Sequence, residues 1–351
     1  MKTIPNCKLK SGETLSVEYF EPGPQVPASR AEEITRFVIQ VETLDSWASV
    51  AESLYLKRCL QGRFAETGLD PLFLGCLDGK IVGDVGCQVS RDSPETGSLG
   101  WVFTDPAQRG KGISSYLTRL AVQWFQDRGG VCMLLGTGNP IAHHVYEKYG
   151  FRDYNGHVMR RLSPGADAEG FERRLFARTG PAAVRPAVWS DVSRVAALYA
   201  APHPWLVQDY QENLITHPSL KKLRYFSVFP ALQLRAEQPG GSVQVLETRR
   251  KRIVGLAALL PDPAPFQGHI GRLDFLIRPE FLDQGQELLA AVLNQAREGG
   301  VQTVEARFAS TDREKVELAR AAGFRHAARF PDRFRIGAES VDLELYVSTA
   351  V

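Results

Sequence analysis

A glycine-rich basic segment, residues 109–114 (Arg-Gly-Lys-Gly-Ile-Ser), has the composition of an anion-binding turn. An apolar run at residues 101–103 precedes it, and a helical pattern begins at about Ile113. A turn that joins a strand to a helix directs several backbone N–H groups to one point, where the helix dipole also favours an anion. Gly110 and Gly112 let the backbone approach a phosphate without steric clash, and the arginine and lysine add positive charge. The segment therefore predicts a pyrophosphate site.

A second segment, residues 139–151, reads Asn-Pro-Ile-Ala-His-His-Val-Tyr-Glu-Lys-Tyr-Gly-Phe and predicts a short helix. Together, the two segments resemble motifs of the GNAT superfamily of acetyl-CoA-dependent N-acetyltransferases. The family's phosphate motif, R-x-x-G-x-G/A, falls on Arg109, Gly112 and Ser114, where the serine departs from the pattern but is small. The later motif, N-x-x-A-x-x-x-Y-x-x-x-G-F, is matched at every position, by Asn139, Ala142, Tyr146, Gly150 and Phe151.

The resemblance, which spans about residues 35–162, implies transfer of an acetyl group from acetyl-CoA to a primary amine of a small molecule. It implies that Tyr146 is the general acid, because a phenol with a pKa of about 10 can protonate a thiolate whose conjugate pKa is near 8.5. It also implies that backbone groups of Val102, Phe103 and Thr104 hold the pantetheine arm and the thioester, and that Asn139 contacts the coenzyme. The pyrophosphate would be held by the turn, whose residues are Arg109, Gly110, Lys111, Gly112, Ile113 and Ser114.

The sequence leaves three candidates for the general base: Asp84, Glu95 and a water relay. Each carboxylate is expected to be a solvated surface group. His143 and His144 are adjacent in the predicted helix and point about 100° apart, so at most one can face a cleft. The alternatives to amine acetylation are a sensor that binds an acyl-CoA without turnover, transfer of a longer acyl group, and a protein acceptor.

The elements around these motifs predict an α/β chain with two tandem GNAT-like domains, each a mixed, mostly antiparallel sheet flanked by helices. The pairs Pro106 and Pro279, Gly112 and Gly285, and Gly150 and Gly323 all lie 173 residues apart. A strand is expected from Phe37 and a helix from Trp47. The expected domains are an extended arm (1–29), a catalytic domain (30–165), a connector (166–183) and a degenerate domain (184–351).

The second half changes the motif residues. Its aligned turn, residues 282–287, reads Leu-Asp-Gln-Gly-Gln-Glu, and Ala319 replaces the motif tyrosine. Because Asp283 and Glu287 place negative charge where a pyrophosphate lies in the first half, we expect one coenzyme per chain. The inserted stretch at residues 200–242 is interpreted as a surface excursion, with a cleft cap as the alternative.

Composition excludes several classes of protein. The 42 basic and 40 acidic residues give a formal charge of +2, without the basic excess of a nucleic-acid binder. No apolar run approaches the roughly 18 residues of a membrane span, and the N-terminus has no apolar signal region. Five cysteines without CxxC spacing indicate neither a disulfide framework nor a zinc site. The chain is expected to be cytoplasmic, without a metal, nucleic-acid or membrane partner.

Overall fold

The computed structural model describes residues 2–21, 26–39, 47–206, 225–336 and 338–349. The chain divides into two compact units. Unit 1 comprises Met1–Ala168 with Trp189–Ala197, and unit 2 comprises Glu169–Val188 with Leu198–Val351.

Unit 1 is built on a sheet of eight strands: β1 (Lys2–Lys8), β2 (Thr14–Phe20), β3 (Leu72–Leu77), β4 (Lys80–Val89), β5 (Thr96–Thr104), β6 (Cys132–Gly136), β7 (Arg152–Asn155) and β8 (Val158–Leu162). Their order is β1-β2-β3-β4-β5-β6-β8-β7, and β5 and β6 run parallel while the other neighbours are antiparallel. The helices are α1 (Ala28–Ile39), α2 (Trp47–Leu60), α3 (Ile113–Asp127) and α4 (Pro140–Glu147).

Helix α3 covers one face of this sheet. Its apolar residues recur every three or four positions, so Ile113, Leu117 and Ala121 all face inward and are buried. They join one core cluster with Val85 and Cys87 of β4, which are also buried. The alternation along β4 and the period of α3 thus place the start of α3 directly against the sheet.

The strand expected from Phe37 is wrong, because Phe37 and Val38 lie in α1; the last residues of that run lie outside the described residues. The run is apolar and β-branched, but the preceding residues continue the helical period, with Ala31, Ile34 and Val38 buried. Within the expected N-terminal arm, residues 2–20 form β1, β2 and the turn between them, which belong to the sheet.

The second half of the chain repeats the pattern. Its strands are β9 (Ala183–Pro186), β10 (Ser242–Glu247), β11 (Ile253–Pro261), β12 (Ile270–Ile277), β13 (Thr303–Ala309), β14 (Arg325–Ile336) and β15 (Glu339–Thr349). Its helices are α5 (Gly170–Leu175), α6 (Val192–Ala200), α7 (Tyr225–Ala236), α8 (Gly285–Glu298) and α9 (Arg313–Ala321). The sheet order is β14-β15-β13-β12-β11-β10-β9, and β12 and β13 are its parallel pair. Two mixed, mostly antiparallel sheets flanked by helices confirm the predicted fold class.

Candidate active site

Strands β5 and β6 are paired at one end only. They pair in parallel from Thr96 with Cys132 to Ser98 with Leu134, and the pairing ends there although β5 continues to Thr104. On its other side, β5 stays paired with β4 as far as Thr104. The edge of β5 that faces β6 therefore carries backbone groups without a strand partner over residues 99–104. The expected pantetheine-binding residues, Val102, Phe103 and Thr104, all lie on this divergent stretch.

A β-bulge in β5 lies at the start of the divergence. The register with β4 shifts between Asp84 and Gly86, and Trp101 has a φ of +49°, which a residue with a side chain rarely adopts. The indole N–H of Trp101 donates to Glu52 Oε1 of α2 at 3.0 Å, and its ring packs against Tyr55. These contacts hold the bulge. The sequence analysis included Trp101 in an apolar run but gave no sign of its backbone conformation.

The glycine-rich turn connects β5 to α3 as expected. Gly110 and Gly112 have φ values of +82° and +89°, so both occupy the left-handed region that glycine tolerates best. The first hydrogen bond of α3 runs from Tyr116 N–H to the Gly112 carbonyl at 3.0 Å. The N–H groups of residues 113–115 therefore have no acceptor within the helix and are available to an anion.

The two basic side chains of the turn are held by other parts of unit 1. Lys111 Nζ lies 2.7 Å from a carboxylate oxygen of Glu13, in the turn between β1 and β2. Arg109 Nε donates to the Thr104 carbonyl at 3.3 Å. Both pairs are at the surface, where such ion pairs and hydrogen bonds are weak. A bound phosphate could compete with either acceptor.

Helix α4 begins at the expected asparagine. Asn139 Oδ1 accepts from the N–H of Ile141 at 2.9 Å and lies 3.4 Å from the N–H of Ala142, so this side chain caps the helix. The capping role leaves its amide nitrogen as the part that could donate to a coenzyme. Asn139 itself is exposed.

Tyr146 points from α4 into the core of unit 1. It is 5% exposed and packs edge-on against Phe151, with ring centroids 6.0 Å apart. Burial raises the pKa of its hydroxyl, and the nearby Asp84 carboxylate raises it further. The phenol therefore stays protonated at neutral pH and can donate a proton to an anion formed beside it.

Asp84 is not the surface carboxylate that the sequence analysis expected. It is fully buried in β4, and neither of its oxygens has a hydrogen-bond partner among the described residues. Burial raises the pKa of this carboxyl well above its usual range. β4 is buried along nearly its whole length, as is typical of a strand covered on both faces. Its sequence, which includes Lys80 and Gln88 beside Asp84, does not indicate that burial.

The other candidate bases lie elsewhere. Glu95 precedes β5 at its paired end, and its side chain accepts from Ser93 at 2.8 Å. His143 Nε2 lies 2.7 Å from an Asp153 oxygen, and His144 is exposed on α4. Neither Glu95 nor this histidine pair is brought to the divergent end of β5 by a contact that the structure shows.

Unit 2 has a second strand divergence, and its own side chains fill it. β12 and β13 pair from Ile270 to Leu273, after which the register ends. The buried ammonium of Lys315, on α9, forms an ion pair with the buried Asp274 carboxylate. The rings of Trp205, Phe275 and Phe308 lie about the same ammonium, with centroids 5.4–5.5 Å from Nζ.

The chain itself supplies two further hydrogen bonds across this second divergence. His203 Nε2 hydrogen-bonds the Ile277 carbonyl at 2.7 Å, and Leu206 N–H donates to Asp312 Oδ1 at 2.7 Å. Ile277 and Asp312 lie 173 residues after Thr104 and Asn139. Burial lowers the pKa of His203 to about 4, so the ring is neutral at pH 7. Trp205 is buried, so the start of the 200–242 insertion is not the surface excursion that was expected. Residues 207–224 of that stretch lie outside the described residues.

The turn of unit 2 that aligns with residues 109–114 is also engaged. Arg178 forms a bidentate pair with Asp283, with both N–O distances 2.7 Å. Gln284 exchanges hydrogen bonds with the backbone of Ala182 at 2.8 and 2.9 Å. Arg178 offsets the charge of Asp283, which weakens the repulsion argued from the sequence. The expectation of one coenzyme per chain therefore rests mainly on the side chains of unit 2 that lie at its strand divergence, Lys315 and Asp274 above all.

In the described ranges, none of the helices is long and apolar enough to cross a membrane. No group of three or more histidine, cysteine, aspartate or glutamate side chains in those ranges is placed to hold a metal ion.

Comparison with known proteins finds a match in the first half. Residues 40–151 match the model of the "Acetyltransferase (GNAT) family". A mycothiol acetyltransferase of Cellulomonas flavigena is 29% identical over 179 residues, which cover 44% of this chain and 51% of the relative. An N-acetylaspartate synthetase of Danio rerio is 32% identical over 106 residues, which cover 30% of this chain and 37% of the relative. The chain thus spans about half the length, or less, of these curated relatives.

Among solved structures, a GNAT superfamily phosphinothricin acetyltransferase from Sinorhizobium meliloti, in complex with acetyl-CoA, is similar over 48% of this chain and 89% of its own. The sequence identity is 14% and the TM-score is 0.40.

Proposed function

We propose that this chain, whose residues 40–151 match the model of the acetyltransferase (GNAT) family, transfers an acetyl group from acetyl-CoA to a primary amine. The observation that carries the proposal is the divergence of β5 from β6 in unit 1, which leads into the glycine turn at residues 110–112. Tyr146 is buried in the core of the same unit. The acceptor we propose is the amine of a small molecule.

The residues around the divergence fit coenzyme A. Its pyrophosphate requires several N–H donors, which the turn at residues 110–112 and the first amides of α3 supply. Its amide-containing pantetheine arm requires an unpaired strand edge, which β5 supplies at residues 99–104. When bound, acetyl-CoA supplies the thioester that is the acyl donor.

Tyr146 performs the acid step in this account. The sulfur of a thioester leaves as a thiolate, which needs a proton. The Tyr146 hydroxyl is buried on α4 and protonated at neutral pH, because burial and the charge of Asp84 raise its pKa. Backbone N–H groups at the free edge of β5 orient the carbonyl and stabilise the negative charge that develops on its oxygen.

A turnover screen tests the proposed function. The purified full-length chain is given acetyl-CoA and a panel of primary amines, and the release of free thiol is measured. We expect thiol release with at least one small-molecule amine, matched one-to-one by acetylated amine in the mass spectrum. Binding of acetyl-CoA without thiol release from any member of the panel contradicts the proposal and favours a sensor.

A further inference from the structure

The inference concerns Asp84 and rests on the proposed acetyl transfer. A buried carboxyl without a hydrogen bond destabilises a fold, and native proteins rarely keep one without a function for it. Unit 1 holds a second buried aspartate that shows the ordinary arrangement. Asp70 accepts from the Tyr55 hydroxyl at 2.7 Å and from the Val89 N–H at 2.9 Å. Asp84 has no such partner on either oxygen among the described residues.

The register of the sheet shows which face Asp84 occupies. A Cβ added at Gly83 would come within 2.7 Å of Ile113, so Gly83 faces α3. Successive strand residues face opposite sides, so Asp84 faces away from α3. Asp84 lies directly opposite Phe103 of β5. The Phe103 ring packs edge-on against the ring of Phe37 of α1, with ring centroids 5.4 Å apart. Asp84 therefore lies on the α1 face of the sheet, beside the divergent end of β5.

Tyr146 lies on the opposite face of the sheet, the one that α3 covers. It belongs to the core cluster that contains Ile113 and Leu117 of α3. Asp84, when ionised, adds to the effect of burial and raises the pKa of the Tyr146 hydroxyl further. A group held along the free edge of β5 would thus have a carboxyl on one face and a phenol on the other.

We infer that Asp84 takes a proton from the ammonium of the acceptor, and that the acceptor amine reaches the site from the α1 face. A carboxylate in this place selects an alkylamine as the acceptor. An alkylamine is charged in water at neutral pH and must lose a proton before it can attack the thioester. The ammonium is also the partner that the buried carboxyl lacks, and its positive charge stabilises the ionised form of Asp84 that accepts the proton.

The proposed step conserves protons and electrons. The ammonium gives one proton to the Asp84 carboxylate, and the nitrogen lone pair forms the C–N bond to the thioester carbonyl carbon. The C–S bond breaks, its electron pair stays on sulfur, and the sulfur takes the proton of Tyr146. The nitrogen gives a second proton to the Tyr146 oxygen, and Asp84 releases its own proton to solvent. The net products are an amide, a thiol and one proton.

The test uses the full-length chain with Asp84→Leu, which keeps the branching of the side chain, and Asp84→Asn. The matched control is Asp70→Leu. We expect both Asp84 variants to lose about 10²-fold or more in kcat with the fastest alkylamine of the panel. We expect an unchanged Kd for acetyl-CoA, and a Tm for Asp84→Leu equal to or above that of the wild type. Asp70→Leu should lower the Tm by several degrees, because it leaves the Tyr55 hydroxyl and the Val89 N–H without their acceptor.

A second nucleophile separates proton transfer from structural damage. Hydroxylamine is largely uncharged at neutral pH, so its acetylation should fall less than threefold in the Asp84 variants. Equal losses for hydroxylamine and the alkylamine, alkylamine turnover within threefold of wild type, or a Tm loss in Asp84→Leu as large as that of Asp70→Leu would each overturn the inference. In those cases the wild type still turns over, so the proposed function stands. A wild type that releases no thiol with any amine overturns the transfer itself, and the role of Asp84 with it.

Discussion

Replacement of Gly112 by glutamate is expected to abolish the binding of coenzyme A. Gly112 has a φ of +89° at the start of α3, and no atom lies within 4 Å of the position that a Cβ would take. A glutamate therefore fits the space but places its carboxylate among the N–H groups that receive the pyrophosphate. Two like charges about 4 Å apart at an effective dielectric near 20 repel by about 4 kcal/mol, which corresponds to roughly 10³-fold in Kd.

The chain offers a matched control for this variant. Gly129, just beyond the other end of α3, has a φ of +78° and equally open space. Gly129→Glu carries the same charge change and similar backbone strain, at a distance of about 25 Å along the helix axis. We expect Gly129→Glu to bind coenzyme A as the wild type does, measured by calorimetry. Wild-type affinity in Gly112→Glu would mean that the coenzyme binds elsewhere.

The second large effect is expected for Tyr146→Phe, which should lower kcat by about 10²-fold and leave the Kd for acetyl-CoA nearly unchanged. The phenyl ring keeps the packing against Phe151, so the fold should be preserved. The variant removes only the hydroxyl that donates a proton to the leaving sulfur. Steady-state kinetics and calorimetry on the same preparation measure the two quantities.

Tyr149→Phe is the control for this variant, three residues further along the chain. The Tyr149 hydroxyl is hydrogen-bonded to the Ser115 hydroxyl at 2.7 Å, so its removal costs about 1 kcal/mol of stability. We expect wild-type kcat from Tyr149→Phe. If Tyr146→Phe also retains wild-type kcat, the tyrosine is not the acid and the sensor hypothesis gains support.

The sequence was sufficient for features that depend on local pattern. The helical spacing of apolar residues in α3 and the glycine turn at Gly110 and Gly112 depend on neighbouring residues only. The structure has both as expected. The 173-residue repeat also holds at the level of elements, because α4 begins at Pro140 and α9 at Arg313. Each of these follows from short-range conformational preference.

Features that depend on contacts distant in sequence were predicted less well. The apolar run from Phe37 has the composition of a strand, but packing of Ala31, Ile34 and Val38 on one face makes it a helix. The burial of Asp84 follows from coverage of both faces of β4, which one strand does not reveal by itself. Asp283 was predicted to repel a phosphate because its ion pair with Arg178, 105 residues away in the sequence, could not be foreseen.

The central claim is that the chain holds one coenzyme, at the divergent strands of unit 1. Its most direct test is a calorimetric titration of acetyl-CoA into the full-length chain, wild type and Gly112→Glu. In unit 2 the corresponding divergence holds the Lys315–Asp274 pair, and His203 and Leu206 make hydrogen bonds there. We therefore expect one equivalent bound by the wild type and none by the variant. Two equivalents, or one equivalent retained by Gly112→Glu, would contradict the account.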